Sequence, residues 1–367
     1  MKVGIVTFHY NNNFGAALQC YALQRAIKEL GHEVDVIDYV PPGGELKPFW
    51  RGWNIRSGQF LKKVRQRLLQ LKYERKASRA FESFRNSYFS LSARCTTLDQ
   101  VRRVATQYDA VVCGSDQVWV FERPSVYFLD LGDQFKGLKI SYAACCGHNQ
   151  QHPGEGEKIR NLVNRLDSIS VRNDFSKEIV SAYTAKPISI TADPTLLVDF
   201  DELMEERPLP CADYILMYSL SGDMDGGQQK IIDAIRKKVG DLPVVAVVAN
   251  SCPRKSACAQ YNIFDANPRQ WVWLIAHARF VYTDSFHGAL FCVKYNRPFM
   301  ADYKEKWRSL RLLDVATRYG FENNIASSVD DAVQKIQRVE DDYADAHALI
   351  NKHAKESLQF LSGALST

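Results

Sequence analysis

The stretch Tyr282-Thr283-Asp284-Ser285-Phe286-His287-Gly288-Ala289-Leu290-Phe291 sets the reading of the chain. An apolar run, Arg279 to Thr283, enters a tight polar turn, and an apolar helical run starts at His287. A histidine therefore falls on the first turn of a helix, at the carboxyl end of an expected parallel strand. In open α/β sheets that is where ligands bind. Backbone N–H groups and the helix dipole favour an anion there. A protonatable imidazole beside such an anion hole suggests chemistry on a phosphate or carboxylate.

The same strand–turn–helix pattern recurs on both sides. The spacing predicts strands at 2–8, 33–40, 109–113, 139–144, 168–171 and 189–191, with a helix over 16–30 closed by Gly31. A second block has strands at 214–219, 244–249, 279–283 and 298–301, with helices over 228–239 and 268–276. Such alternation in two blocks implies an α/β protein of two doubly wound, Rossmann-like domains facing a cleft. The expected division is an N-terminal α/β domain at 1–195, a C-terminal α/β domain at 205–328 and a helical tail at 329–367 that packs back across the first domain. A basic helical insertion interrupts the first domain at about 51–90.

Composition narrows the class. Of 367 residues, 46% are hydrophobic and 24% charged, ordinary for a globular protein. The net charge of +5 leans towards anionic partners, and most of it sits in eleven Lys and Arg between Arg51 and Arg85, opposed by Glu74 and Glu82. Helical apolar spacing there allows either a solvated face or a helix docked on anionic lipid. Nine cysteines without a Cys-x-x-Cys pair argue for a reducing, cytoplasmic setting. The apolar run Val3 to Thr7 is too short for a signal-peptide core, and no run approaches the about 20 residues of a membrane span. His-Glu-x-x-His, Cys/His quartets, P-loops and Gly-x-Gly-x-x-Gly are all absent, so neither a metal nor a bound cofactor is expected. No nucleic-acid-binding module accompanies the basic helices.

Other turns carry candidate chemistry. Asn11-Asn12-Asn13-Phe14-Gly15 joins a strand to a helix, where Asn13 and Phe14 could meet a sugar or an anion, or the asparagines could simply cap the helix. Asp116, in Gly114-Ser115-Asp116, could bind a hydroxyl or serve as an N-cap. Arg172, at the end of a short apolar run, suits a bidentate contact to an oxyanion; locally, a surface ion pair with Asp174 or another carboxylate is the simpler reading. Lys304, Lys306, Arg308 and Arg311 follow the strand at 298–301 and can approach the same crevice.

Taken in order, Asn13-Phe14-Gly15-Ala16-Ala17-Leu18-Gln19, Gly114-Ser115-Asp116-Gln117-Val118-Trp119, Ser141-Tyr142-Ala143-Ala144, Ser170-Val171-Arg172, Ala192-Asp193-Pro194-Thr195 and Asp284-Ser285-Phe286-His287-Gly288 resemble the polysaccharide pyruvyl transferase family. The resemblance covers about residues 10 to 302. It implies a glycosyltransferase-B-like fold and transfer of a pyruvyl group from phosphoenolpyruvate onto a sugar, free or lipid-linked, as a cyclic ketal. On that reading His287 is the general acid/base. The donor is held by Arg172, Ser285, Phe286, Gly288, Lys304, Arg308 and Arg311, and the acceptor by Asn13, Phe14 and Asp116. Many members carry Arg-Leu-His-Gly where this chain has Ser285-Phe286-His287-Gly288, so either Arg172 or a residue among Lys304, Arg308 and Arg311 replaces that arginine, or the donor is held differently. A cytoplasmic protein, with peripheral contact at an anionic membrane for a lipid-linked acceptor, is the expected setting. A nucleotide-sugar-dependent glycosyltransferase of the same fold and a non-catalytic sugar- or lipid-binding protein are the alternatives.

Overall fold

A computed structural model describes residues 1–42, 60–120, 123–147, 156–220, 226–249, 255–303 and 306–366, the side chains of 60–70 and 306–309 excepted. The first half holds six strands: β1 (Lys2–Val6), β2 (Glu33–Val36), β3 (Ala110–Cys113), β4 (Leu138–Ala144), β5 (Ser168–Val171) and β6 (Ser189–Ile190). Six more form the second half: β7 (Ile215–Tyr218), β8 (Val244–Val247), β9 (Tyr261–Ile263), β10 (Phe280–Thr283), β11 (Phe299–Asp302) and β12 (Ile325–Ala326). The helices are α1 (Phe14–Glu29), α2 (Phe60–Tyr88), α3 (Leu98–Ala105), α4 (Gly156–Asn164), α5 (Asp174–Ser181), α6 (Gln228–Val239), α7 (Pro268–Ala276), α8 (Phe286–Lys294), α9 (Lys306–Tyr319), α10 (Val329–Ile336) and α11 (Ala344–Leu365).

Strand order positions the site. The second sheet runs β12-β11-β10-β7-β8-β9, all parallel, which read from β9 is the dinucleotide-fold order. Its order reverses between β7 and β10, so the turn into α8 opens at the switch point. The first sheet runs β2-β1-β3-β4-β5-β6, also parallel, and reverses between β1 and β3. The Asn11–Gly15 and Gly114–Asp116 turns therefore flank the first switch point.

Several predicted strands end early. β1 stops at Val6 because Thr7 and His9 leave the ladder: Thr7 Oγ1 donates to the Ser115 carbonyl, and the His9 ring bonds locally. Beyond Val36 only isolated bridges to Leu91 and Cys95 continue β2. The edge strands β9 and β12 were not predicted, being too short to carry a period. Residues 51–59 of the insertion lie outside the described residues; from Phe60 it folds as one long helix, α2, whose Ala77, Phe81 and Phe84 are buried while Lys72, Arg75, Lys76 and Arg79 face solvent. The tail divides. α10 buries Ala332 and Ile336 against the second half. α11 returns to the first, where Ser357 Oγ accepts from the Ala192 N–H and His353 meets the Ile190 carbonyl.

An apolar cluster runs through both halves. Phe14 stacks on Trp271 at 5.4 Å and 6°, with Phe81 and Tyr218 around it. Cys113, Cys145, Cys146 and Cys292 are buried thiols, behaving as small hydrophobes.

Candidate functional site

The turn after β10 is locked by its own side chains. Thr283 Oγ1 donates to the Tyr218 carbonyl and accepts from the Ser285 N–H. Asp284 accepts from the Leu220 N–H at 2.6 Å and from Ser219 Oγ at 3.2 Å. Ser285 Oγ caps α8 by accepting from the Gly288 N–H. Two N–H groups expected to form an anion hole, those of Ser285 and Gly288, are thus spent inside the turn, and Ser285 acts as a cap. Gly288 is required by space, since a Cβ there would lie 2.6 Å from Thr283 Oγ1.

His287 projects from this turn into the first half. Its ring rests on Gly15, and its Nε2 lies 3.5 Å from Asp193 Oδ2, an ion-pair distance. That nitrogen is buried and makes no hydrogen bond among the described residues. Asp193 follows β6, where its Oδ1 caps the turn Pro194–Leu196 through Thr195. Its Oδ2 accepts from Arg172 Nη1 at 2.9 Å. Arg172 in turn lies under the Phe286 ring at 4.4 Å and 3.7 Å from Asp116 Oδ1. Cation–π contact on one face and carboxylates at both terminal nitrogens hold the guanidinium. The result is a line in which Arg172, Asp193 and His287 are buried and Asp116 is half-buried, three residues coming from the first half and one from the second. Burial opposes the charge on Asp193, but the His287 and Arg172 charges beside it outweigh that and hold its carboxyl well below the usual range.

Behind the line lies a narrow pocket of about 10 Å³, lined among others by Arg172, Asp193, Phe286, Arg311, Arg318 and Tyr319. Arg172, Phe286 and Arg311 were predicted together with His287, and the structure brings them together. Lys304 and the Arg308 side chain lie outside the described residues. Asp193 and Arg318 were missed. Asp193 reads in sequence as a turn residue before proline, which it also is, and Arg318 reads as the polar face of a helix.

Other expectations are corrected. Arg172 does pair with a carboxylate, but with the buried Asp193 and not at the surface with Asp174, which takes Arg318 at 2.7 Å. Asp116 is no N-cap: its backbone is left-handed, with φ 72°, and it bridges to Ala144. Asn13 caps α1 by accepting from the Ala16 N–H at 3.1 Å. Phe14, expected to meet an acceptor, is 4% exposed and joins the two halves as a packing residue.

Two Rossmann-like halves, with charged side chains meeting at their facing switch points, make up a glycosyltransferase-B-like fold. Solved structures with this fold include Arabidopsis thaliana UGT89C1 complexed with UDP-L-rhamnose (TM-score 0.55, 10% identity, 100% of this chain and 99% of that one). A putative UDP-N-acetylglucosamine 2-epimerase from Listeria monocytogenes is similar too (TM-score 0.51, 13% identity, 95% and 93%). The polysaccharide pyruvyl transferase family model matches residues 13–301, and the chain belongs to that family. No curated protein sequence matches it. No helix among the described residues is long and apolar enough to cross a membrane.

Proposed function

We propose that this chain transfers the pyruvyl group of phosphoenolpyruvate onto two hydroxyls of a sugar, forming a cyclic ketal. The observation that carries this reading is the buried Arg172–Asp193–His287 line beside an arginine-lined pocket. Arg172 Nε and Nη2 and His287 Nε2 are buried without a hydrogen-bond partner, and buried donors normally find an acceptor. A ligand bearing several anionic oxygens supplies them. Arg311 takes the place of the arginine that Ser285 lacks.

The steps balance. His287 gives a proton to the methylene carbon of the donor, and the adjacent carbon becomes oxocarbenium-like. One sugar hydroxyl attacks it and returns its proton to His287. The carbon–oxygen bond to phosphate then breaks, a second hydroxyl closes the ring, and its proton leaves with inorganic phosphate. The two-domain cleft leaves the acceptor to the first half, around Asn13 and Asp116. A lipid-linked acceptor would bring the exposed cations of α2 towards an anionic bilayer.

The test is phosphate release from phosphoenolpyruvate with sugar acceptors, with the ketal methyl followed by NMR. His287→Ala is expected to lower turnover by about 10²–10⁴-fold. Unchanged turnover in that variant removes His287 from the mechanism, and phosphate release with nucleotide sugars alone overturns the reaction. By calorimetry, Arg311→Gln should weaken phosphoenolpyruvate binding by about tenfold or more, the loss of one charge-assisted hydrogen bond. An unaltered affinity would move the compensating cation elsewhere.

A further inference from the structure

The first half carries a second charged cluster, at the carboxyl ends of β1 and β2. His9 is 1% exposed; its Nδ1 faces the Thr7 carbonyl at 3.2 Å and its Nε2 faces Asp38 Oδ1 at 2.9 Å. Burial works against the Asp38 charge, but the hydrogen bond from His9 and the charges of His9, Arg94 and Arg85 hold its carboxyl below the usual range. Both ring nitrogens of His9 thus face acceptors. Arg94 Nε stands 4.0 Å from the other Asp38 oxygen.

Arg85 reaches this cluster from α2. It is partly buried, and burial disfavours its charge. Among the described residues its one side-chain hydrogen bond is from Nη1 to Asn12 Oδ1 at 3.3 Å, and it makes no ion pair. Among the described residues, Arg85 and Arg94 thus approach Asp38 together with the His9 ring, and the exposed Glu82 lies near Arg85. A partly desolvated guanidinium without a close carboxylate is costly by itself, and a ligand anion removes that cost. Position adds to this: Asn12 precedes by three residues the glycine on which the His287 ring rests.

We propose that the acceptor carries an anionic group, a carboxylate or phosphate on or next to the reacting sugar, and that Arg85 binds it with the field of His9 behind. The inference rests on the pyruvyl-transfer reading only in naming the ligand an acceptor. Binding of glucose, glucuronate and glucose 1-phosphate to the full chain, measured by calorimetry, separates the cases. At least one anionic sugar should bind about tenfold tighter than glucose, one charge-assisted contact's worth. Glucuronate ahead points to an acidic sugar, glucose 1-phosphate to a phosphate-linked one. Arg85→Gln should remove the preference and Arg85→Lys should keep part of it. If Arg85→Gln fails to fold, the preference in the unaltered chain must weaken as salt rises from 50 to about 500 mM. Equal binding of all three sugars, a preference that survives Arg85→Gln, or no salt dependence overturns the inference. Arg85-dependent binding without turnover on phosphoenolpyruvate would instead overturn the reaction and leave this site standing.

Discussion

Asp193→Ala is expected to destabilise the fold by about 3–5 kcal/mol, the cost of removing one partner from a buried ion pair. Asp193 is 3% exposed, and it is the closest carboxylate to Arg172, itself 5% exposed. Without it the guanidinium keeps only Asp116 at 3.7 Å and the Phe286 face, and His287 loses its neighbouring anion. Asp193→Asn preserves the shape and should cost less, while still lowering turnover because His287 is no longer held against a charge. The pH dependence separates charge from packing. A carboxyl whose pKa is lower in the folded than in the unfolded chain contributes stability that is fully present above the unfolded value, about 3.9, and is lost as pH falls towards the folded value. The unaltered protein should therefore lose stability steeply below about pH 4, and Asp193→Asn should show a shallower loss over that range. Thermal melts between pH 2 and 7 measure both. Equal slopes would mean that the Asp193 charge does not contribute to the fold.

The fold was legible where hydrophobic period and turn residues agree. The strand ending at Thr283, the cap at Ser285 and the apolar run of α8 all point to one strand–turn–helix unit, and that unit sits at the switch point of its sheet. β9 and β12, of three and two residues, carry no period to read. The site was legible as residue types at sheet edges, hence His287 and Arg172. What joins them was not, because Asp193 is brought to both by pairing across β5 and β6 and by contact between halves. Those are long-range facts without a local pattern. Phe14 shows the converse: a ring beside a switch point invites a ligand reading, yet the second half supplies Trp271 to cover it.

Gly15→Ala should remove activity nearly as fully as loss of His287 itself. The backbone of Gly15 lies in α1 and needs no special conformation; what it needs is the absence of a side chain. A Cβ at this position would lie 2.0 Å from His287 Nδ1, 2.4 Å from Cγ and 2.7 Å from Cε1. No real contact is that short, so something must move. α1 is fixed by its burial against the first sheet, and α8 by the capped turn and the apolar cluster, so the imidazole itself must swing away or the two halves must part. Either displacement takes Nε2 off the Asp193 carboxylate and out of line with a donor held by Arg172. Turnover should fall by the about 10²–10⁴-fold expected for losing a general acid/base, and overpacking should cost about 1–3 kcal/mol of stability. A double-mutant cycle decides the cause. In a His287→Ala background the added methyl has room, so Gly15→Ala should then cost little stability, although activity stays low. If the methyl destabilises both backgrounds equally, the contact between the first helix and the histidine is not what the glycine serves. If the loss vanishes with the imidazole, the glycine at the first switch point exists to seat the histidine from the second.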